Sequence, residues 1–272
     1  MKTRVGILGA RSFVAAPLLP RLQNNHEITT FSRNWQADCA QLAPIPNWIS
    51  LIPIVALPEQ FDTLFERGAK RIVVLSSTSR LSKTASSDPA ERTMALRIAE
   101  SESRLAAWAE ARGIEWLIIR PTLIYGHGRD QNVSEIARFI RRFGFFPVVG
   151  AAQGRRQPIH CEDLARACAR ALEARHLVNR AYNIPGGEVV TYRTMVIRIF
   201  EALDRQPRLV VVPLWMFSAA IACARLLPRF RHWTTAMAER MNQDLVFDHS
   251  LAARDLDFAP RRFHLSAADL PH

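Results

Sequence analysis

Three sets of residues in this sequence have the types and spacing for chemistry. The first is the run Leu8-Gly-Ala-Arg-Ser-Phe-Val-Ala15. A glycine that closes a short apolar run lets the backbone turn tightly, and the helix start that follows offers free N–H groups to an anion. Gly9 takes the bend and Ser12 adds a hydroxyl that can bond a phosphate, with Arg11, Phe13 and Val14 around it. The second set holds proton-transfer groups. Ser76 and Thr78 follow the apolar run 71–75, and Tyr125, His127 and His160 come later. Histidine changes charge near neutrality, so His160 suits acid-base work; it reads equally as a structural hydrogen bond in its loop. The third set is cationic. Arg33, Arg129, Arg141, Arg142 and Arg156 carry forks that match phosphate, although Arg141 and Arg142 also read as a solvated helix face.

These groups need elements to hold them. Residues 4–10 read as a buried strand ending at glycine, 13–22 as a helix with Pro17 tolerated in its first turns, and 27–31 as a second strand. Residues 48–55 supply another apolar strand ending near Pro53, and 60–68 a short helix closed by Gly68. Residues 71–75 are continuous and apolar, as central parallel strands are. Ser87-Asp88-Pro89 caps a long helix over 89–112, which Gly113 ends. A strand at 116–120 leads into Pro121, and helices follow at 134–142 and 162–174. Alternating strands and helices specify a parallel, doubly wound sheet, with ligands held beyond the strand C-termini where the strand order switches.

Composition narrows the classes. The chain has 272 residues, 49% hydrophobic and 22% charged, with no linker or repeat to divide it. One domain over 1–272 is expected, with lobe elements from about 127–160 and 180–272. Cys39, Cys161, Cys168 and Cys223 form neither a CxxC pair nor a disulfide framework, which fits buried thiols in a reducing cytoplasm. Arg11 interrupts the N-terminal apolar run, so a secretory signal is not read there. The apolar run 209–224 contains Pro213 and falls short of the roughly 20 residues that span a bilayer. The net charge of +11 suggests nucleic acid first, but no RNP, zinc-finger or KH signature is present. An anionic small ligand accounts for it as well. The apolar stretch 210–227 holds Trp215 and Phe217, precedes Trp233, and is flanked by Arg205, Arg208, Arg225, Arg229 and Arg231. It reads either as a buried lobe helix or as a helix making weak contact with a membrane surface.

Several motifs occur in a telling order. Leu8–Ala15 is followed by Val74-Leu-Ser-Ser-Thr78 and Ile119-Arg-Pro-Thr-Leu-Ile-Tyr-Gly126. Then come Arg156-Gln-Pro-Ile-His-Cys-Glu-Asp163 and Ala181-Tyr-Asn-Ile-Pro-Gly-Gly187, and in the tail Ala253-Arg-Asp-Leu-Asp-Phe-Ala-Pro260. In this order the sequence resembles the extended short-chain dehydrogenase/reductase family, the NAD-dependent epimerase/dehydratase group that acts on nucleotide sugars. The resemblance implies a Rossmann-type α/β fold: a doubly wound parallel sheet with a small C-terminal substrate lobe. Between the second strand and residue 48 only residues 33–47 are available, so one helix of the family pattern is expected to be missing.

The resemblance also assigns roles. Gly9, Arg11, Ser12, Phe13, Val14, Ser32, Arg33, Ser76 and Pro121 fall at dinucleotide-binding positions, with Ser12 and Ala15 replacing the second and third glycines. Ser32 stands where NAD-binding members carry an acid for the ribose hydroxyl, and Arg33 follows it. That favours NADP(H) over NAD(H). Thr78 matches the catalytic Ser/Thr; Tyr125, Asn132, Arg156 and His160 match the substrate side, with Asn183 a further polar position; no metal is implied. The family's tyrosine and lysine fall at Met94 and Ile98, neither of which can move a proton. Two functions follow. One is an atypical NAD(P)-binding oxidoreductase handling a nucleotide sugar or related metabolite. The other is a non-catalytic dinucleotide-binding sensor or assembly protein. Members often pair through the helix at 89–112, so a homodimer is also implied.

Overall fold

The computed structural model describes residues 2–31, 43–224 and 235–271. In chain order the elements are β1 (Thr3–Leu8), α1 (Ala15–Gln23), β2 (His26–Phe31), β3 (Asn47–Ser50), α2 (Phe61–Glu66), β4 (Arg71–Leu75), α3 (Ser79–Ser82) and α4 (Pro89–Ala111). Then follow β5 (Glu115–Pro121), β6 (Ile124–Tyr125), α5 (Val133–Phe143), β7 (Phe146–Val149), β8 (Arg155–Arg156), β9 (Ile159–His160) and α6 (Cys161–Glu173). The last are β10 (Arg180–Ile184), β11 (Val190–Thr191), α7 (Tyr192–Ala202), β12 (Leu209–Val212), α8 (Leu214–Ala224), α9 (Thr235–Glu239) and α10 (Ser250–Leu256).

Strands β1, β3, β4 and β5 send apolar side chains to both faces because helices cover both. The central sheet runs β2-β1-β3-β4-β5-β10, parallel throughout. One face packs on α1 and α6; the other packs on α4 and the 3-10 turn Ile54–Gln60. The chain steps from β1 out to β2, then back across to β3, so the switch point lies between β1 and β3. The expected loss of one helix falls on residues 33–47, of which 33–42 lie outside the described residues. The expected strand over 48–55 is shorter than expected: β3 stops at Ser50, and Pro53, which cannot donate to a ladder, begins the 3-10 turn instead. Trp48 on β3 is fully buried and packs on Gly6, where a Cβ would come within 2.4 Å of its ring. Asp88 caps α4 by accepting the Ala90 N–H at 2.8 Å, and Pro89 pre-sets its first turn.

Arg71 at the start of β4 is fully buried. Its guanidinium donates to the carbonyls of Ala171 (2.8 Å), Ala174 (2.8 Å) and Leu177 (3.0 Å) and pairs with Glu115. It therefore closes the C-terminal end of α6, where free carbonyls and the negative dipole end favour a cation. A third apolar cluster forms the lobe, from α5, α7, β7 and the segments around Met241 and Phe263. The lobe leans over the C-terminal ends of β4 and β5.

Candidate functional site

At the switch point, the β1–α1 turn is set by Gly9 at φ +83°. A Cβ there would meet Ile52 at 3.0 Å, so both conformation and space require glycine. The Ser12 N–H donates to the Gly9 carbonyl at 2.9 Å, and Ser12 Oγ accepts the Val14 N–H at 3.4 Å, a weak bond. Ala15, in the third glycine position, is fully buried against the sheet. The turn backbone is half-exposed and Arg11 is exposed. This arrangement fits a dinucleotide pyrophosphate, provided Ser12 Oγ rotates off the helix start. Pro17 in the first turn removes one N–H that the helix would otherwise offer. Ser32 and Arg33, and with them the expected NADP(H) selector, lie outside the described residues.

Phe13 from that turn lines a cavity of about 570 Å³ between sheet and lobe. Its polar side is built by Ser77, Thr78, Lys83, Thr122 and Asn132; Phe139, Phe146, Met195, Phe217 and Met241 form much of the rest. Thr78 is buried, and its N–H and hydroxyl both reach the Pro121 carbonyl at 3.1 Å. Two of the expected site residues, Thr78 and Pro121, are thus bonded to each other. Lys83 is held at 3.0 Å by Glu91, which also takes the Ser86 hydroxyl at 2.7 Å and pairs with Arg240. Burial opposes the charge on Glu91, but those bonds and the Arg240 charge hold its carboxyl below the usual range.

Beside the cavity lies a buried charge cluster that sequence reasoning missed. Ser76 Oγ donates to Glu102 at 2.6 Å; Arg120 binds the same carboxylate through two nitrogens at 2.9 and 2.6 Å, and Arg80 approaches at 3.1 Å. Glu102 stands one helical turn beyond Ile98 on α4. That spacing, with an arginine inside the apolar β5 run, was the available signal. α4 itself contains no tyrosine and no lysine; Met94 is exposed and Ile98 buried.

Of the expected substrate groups, Asn132 and Arg156 reach the cavity wall. Asn132 precedes α5, whose start is tied by Asp130: its carboxylate accepts the Asn132 N–H, the Ser134 N–H and the Ser134 hydroxyl. The Arg156 fork is committed within the protein, donating to the carbonyls of Arg155 (2.9 Å), Gln243 (2.6 Å) and Arg240 and lying over the Tyr192 ring. Burial lowers its pKa to about 10, still protonated at neutrality, while burial pushes the Tyr192 phenol up to about 12.

Tyr125 and His160 sit behind the wall. Tyr125 is fully buried and donates to the His264 carbonyl at 3.2 Å. His160 uses both ring nitrogens: one accepts the Glu162 N–H at 3.2 Å, capping α6, and the other lies 2.9 Å from Asp269. Burial opposes ionisation of Asp269, but bonds from His160 and Ser266 hold its carboxyl far below the usual range. Stability from this pair is therefore full above about pH 4 and drains away as pH falls through the depressed pKa. Asp269→Asn is expected to cost about 2 kcal/mol at neutral pH and to flatten the acid limb of a urea-midpoint profile. The ligand atoms of His127, His160 and Cys161 lie within 4.8 Å of one another. His160 is nevertheless committed on both nitrogens, and burial pushes the Cys161 thiol up to about 12, so the trio is a packed corner rather than an open metal site.

Residues 59–185 match the model of the NAD dependent epimerase/dehydratase family. The UDP-glucose 4-epimerase of Vibrio cholerae is 25% identical over 56% of this chain and 49% of that protein. A subunit of Arabidopsis thaliana, NADH dehydrogenase [ubiquinone] 1 alpha subcomplex subunit 9, mitochondrial, is 25% identical over 63% of this chain and 44% of its own. The chain spans less than half the length of these curated relatives. Among solved structures, MoeE5 in complex with UDP-glucose and NAD superposes with a TM-score of 0.67 at 18% identity, over 96% of this chain and 94% of that one. At that identity the likeness shows the fold.

Proposed function

We propose that this chain is a member of the NAD dependent epimerase/dehydratase family, whose model matches residues 59–185, and that it binds NADP(H) in preference to NAD(H) at the β1–α1 turn and a nucleotide sugar or related metabolite in the adjoining cavity. One observation carries this reading: Phe13 of the Gly9 turn and Thr78 of the β4 end line one cavity, so a dinucleotide at the turn and a second ligand would share it. The turn supplies positive φ and a helix start for a pyrophosphate, and Arg33 follows β2 in the sequence with a guanidinium that would suit a 2′-phosphate. A bound nicotinamide would give or take hydride; within the chain, Thr78 would orient the reacting oxygen from the cavity wall.

A second reading has its own support. α4 offers neither tyrosine nor lysine, and His160 and Tyr125 are spent on internal bonds. A protein that binds both ligands without turnover, as a sensor or assembly factor, needs no proton carrier there.

Calorimetric titration with NADPH and then NADH is the test. NADPH should bind more tightly, and Arg33→Ala should erase most of the difference, about tenfold or more, while sparing NADH. A preference that survives Arg33→Ala removes the selector; binding of neither removes the dinucleotide. With cofactor saturating, UDP-glucose should raise the melting temperature, and no shift would remove nucleotide sugars from the reading. Chemical conversion of the sugar, or a change in the redox state of the bound nicotinamide, separates turnover from binding alone.

A further inference from the structure

We propose that β12 and α8 form a docking surface for an anionic lipid bilayer, with α8 lying in the headgroup layer. β12 pairs with β7 alone in a two-stranded ladder, and Val210 and Val211 are 47% and 59% exposed. Leu214, Trp215 and Met216 open α8 and are also exposed, Trp215 by 72%. At the other end of the ladder the Phe146 N–H meets the Arg208 carbonyl at 2.9 Å, and exposed Phe143 and Phe145 precede it. Within the seven positions 210–216, five large apolar side chains are thus exposed. Scattered apolar residues need no explanation; a contiguous set of this kind calls for a cover.

The sequence of α8 carries no charged residue. It reads Leu-Trp-Met-Phe-Ser-Ala-Ala-Ile-Ala-Cys-Ala, and its one hydroxyl, Ser218, donates to the Leu214 carbonyl at 2.8 Å. Phe217 and Ile221 face the cavity wall, and Leu214 to Met216 face outward. A helix that is apolar all round is a core or membrane helix. No helix among the described residues is long and apolar enough to cross a bilayer, and the exposure of Leu214, Trp215 and Met216 suits a position along its surface.

Charge selects the occupant. Arg205 and Arg208 lead into β12 and are exposed, and residues 205–238 contain no aspartate or glutamate, in a chain with 25 acidic residues. Exposed Arg141 and Arg142 end α5 just before Phe143. A second copy on this face would bring the same arginines together, since a two-fold interface opposes a patch to itself. An anionic lipid surface complements them, and an exposed indole suits the headgroup level.

The test is flotation of the full chain with vesicles of phosphatidylcholine alone or mixed with phosphatidylglycerol. The protein should float with the mixed vesicles, less so at high salt, and stay in the soluble layer with phosphatidylcholine alone. Val211→Asp and Trp215→Ser should each cut the floated fraction about tenfold while melting temperature and NADPH titration stay as in the parent chain. Recovery in the soluble layer with both vesicles overturns the proposal, as does equal flotation with both. A dimer in sedimentation that these substitutions dissolve overturns it in favour of a second copy.

Discussion

Arg71→Met should lower the unfolding free energy by about 3–5 kcal/mol, among the largest losses any single side chain in this fold can cause. The substitution leaves the carbonyls of Ala171, Ala174 and Leu177 without their donor at a buried helix end. Glu115 suffers less, because its side chain is partly exposed and can return to water. Arg71→Lys should recover only part of the loss, since one ammonium cannot reproduce the spread of a planar fork. Urea denaturation checks both. A loss below about 1 kcal/mol would mean that water takes over the end of α6.

Glu102→Gln is the second. The amide keeps the shape and leaves Arg120 and Arg80 facing each other with no counter-charge under the C-terminal end of β4. A cost of about 3 kcal/mol is expected, and weaker NADPH binding with it, because Ser76 loses its carboxylate partner beside the cavity. The diagnostic is the cycle with Arg120→Gln. If the pair acts as a unit, the double variant loses well under the sum of the two single losses; strict additivity would show that Glu102 serves Arg80 or Ser76 alone.

These two residues also mark the limit of what the sequence discloses. β1, β4, β5, α4 and the Gly9 turn are legible because their signals are local: a continuous apolar run, a Ser-Asp-Pro cap, one glycine at a bend. Arg71 is not, because its partners lie far along the chain and leave no periodic trace, and Glu102 leaves only its spacing from Ile98 and the arginine in β5. The same holds at the site. The motif around Arg156 put it at the cavity, but its partners at Arg240 and Gln243 were invisible from the motif. His160 was weighed as a base or a structural bond, and the geometry supplies partners for both nitrogens, at Glu162 and Asp269. β3 was read too long because its apolar run continues past Pro53 into the 3-10 turn that covers α4.

Residues 240–271 return to fasten what was made much earlier. Carbonyls near Gln243 hold Arg156, His264 holds Tyr125, Arg261 grips Glu162 and Asp163, and Asp269 closes on His160. During synthesis these clasps emerge last. At about 5–20 residues per second, the span from Arg156 to Asp269 leaves several seconds in which the sheet can form while the lobe's buried histidine and arginine have no partners. For that interval the nascent protein displays the interior of its lobe, and a chaperone bound to the ribosome would find its substrate there.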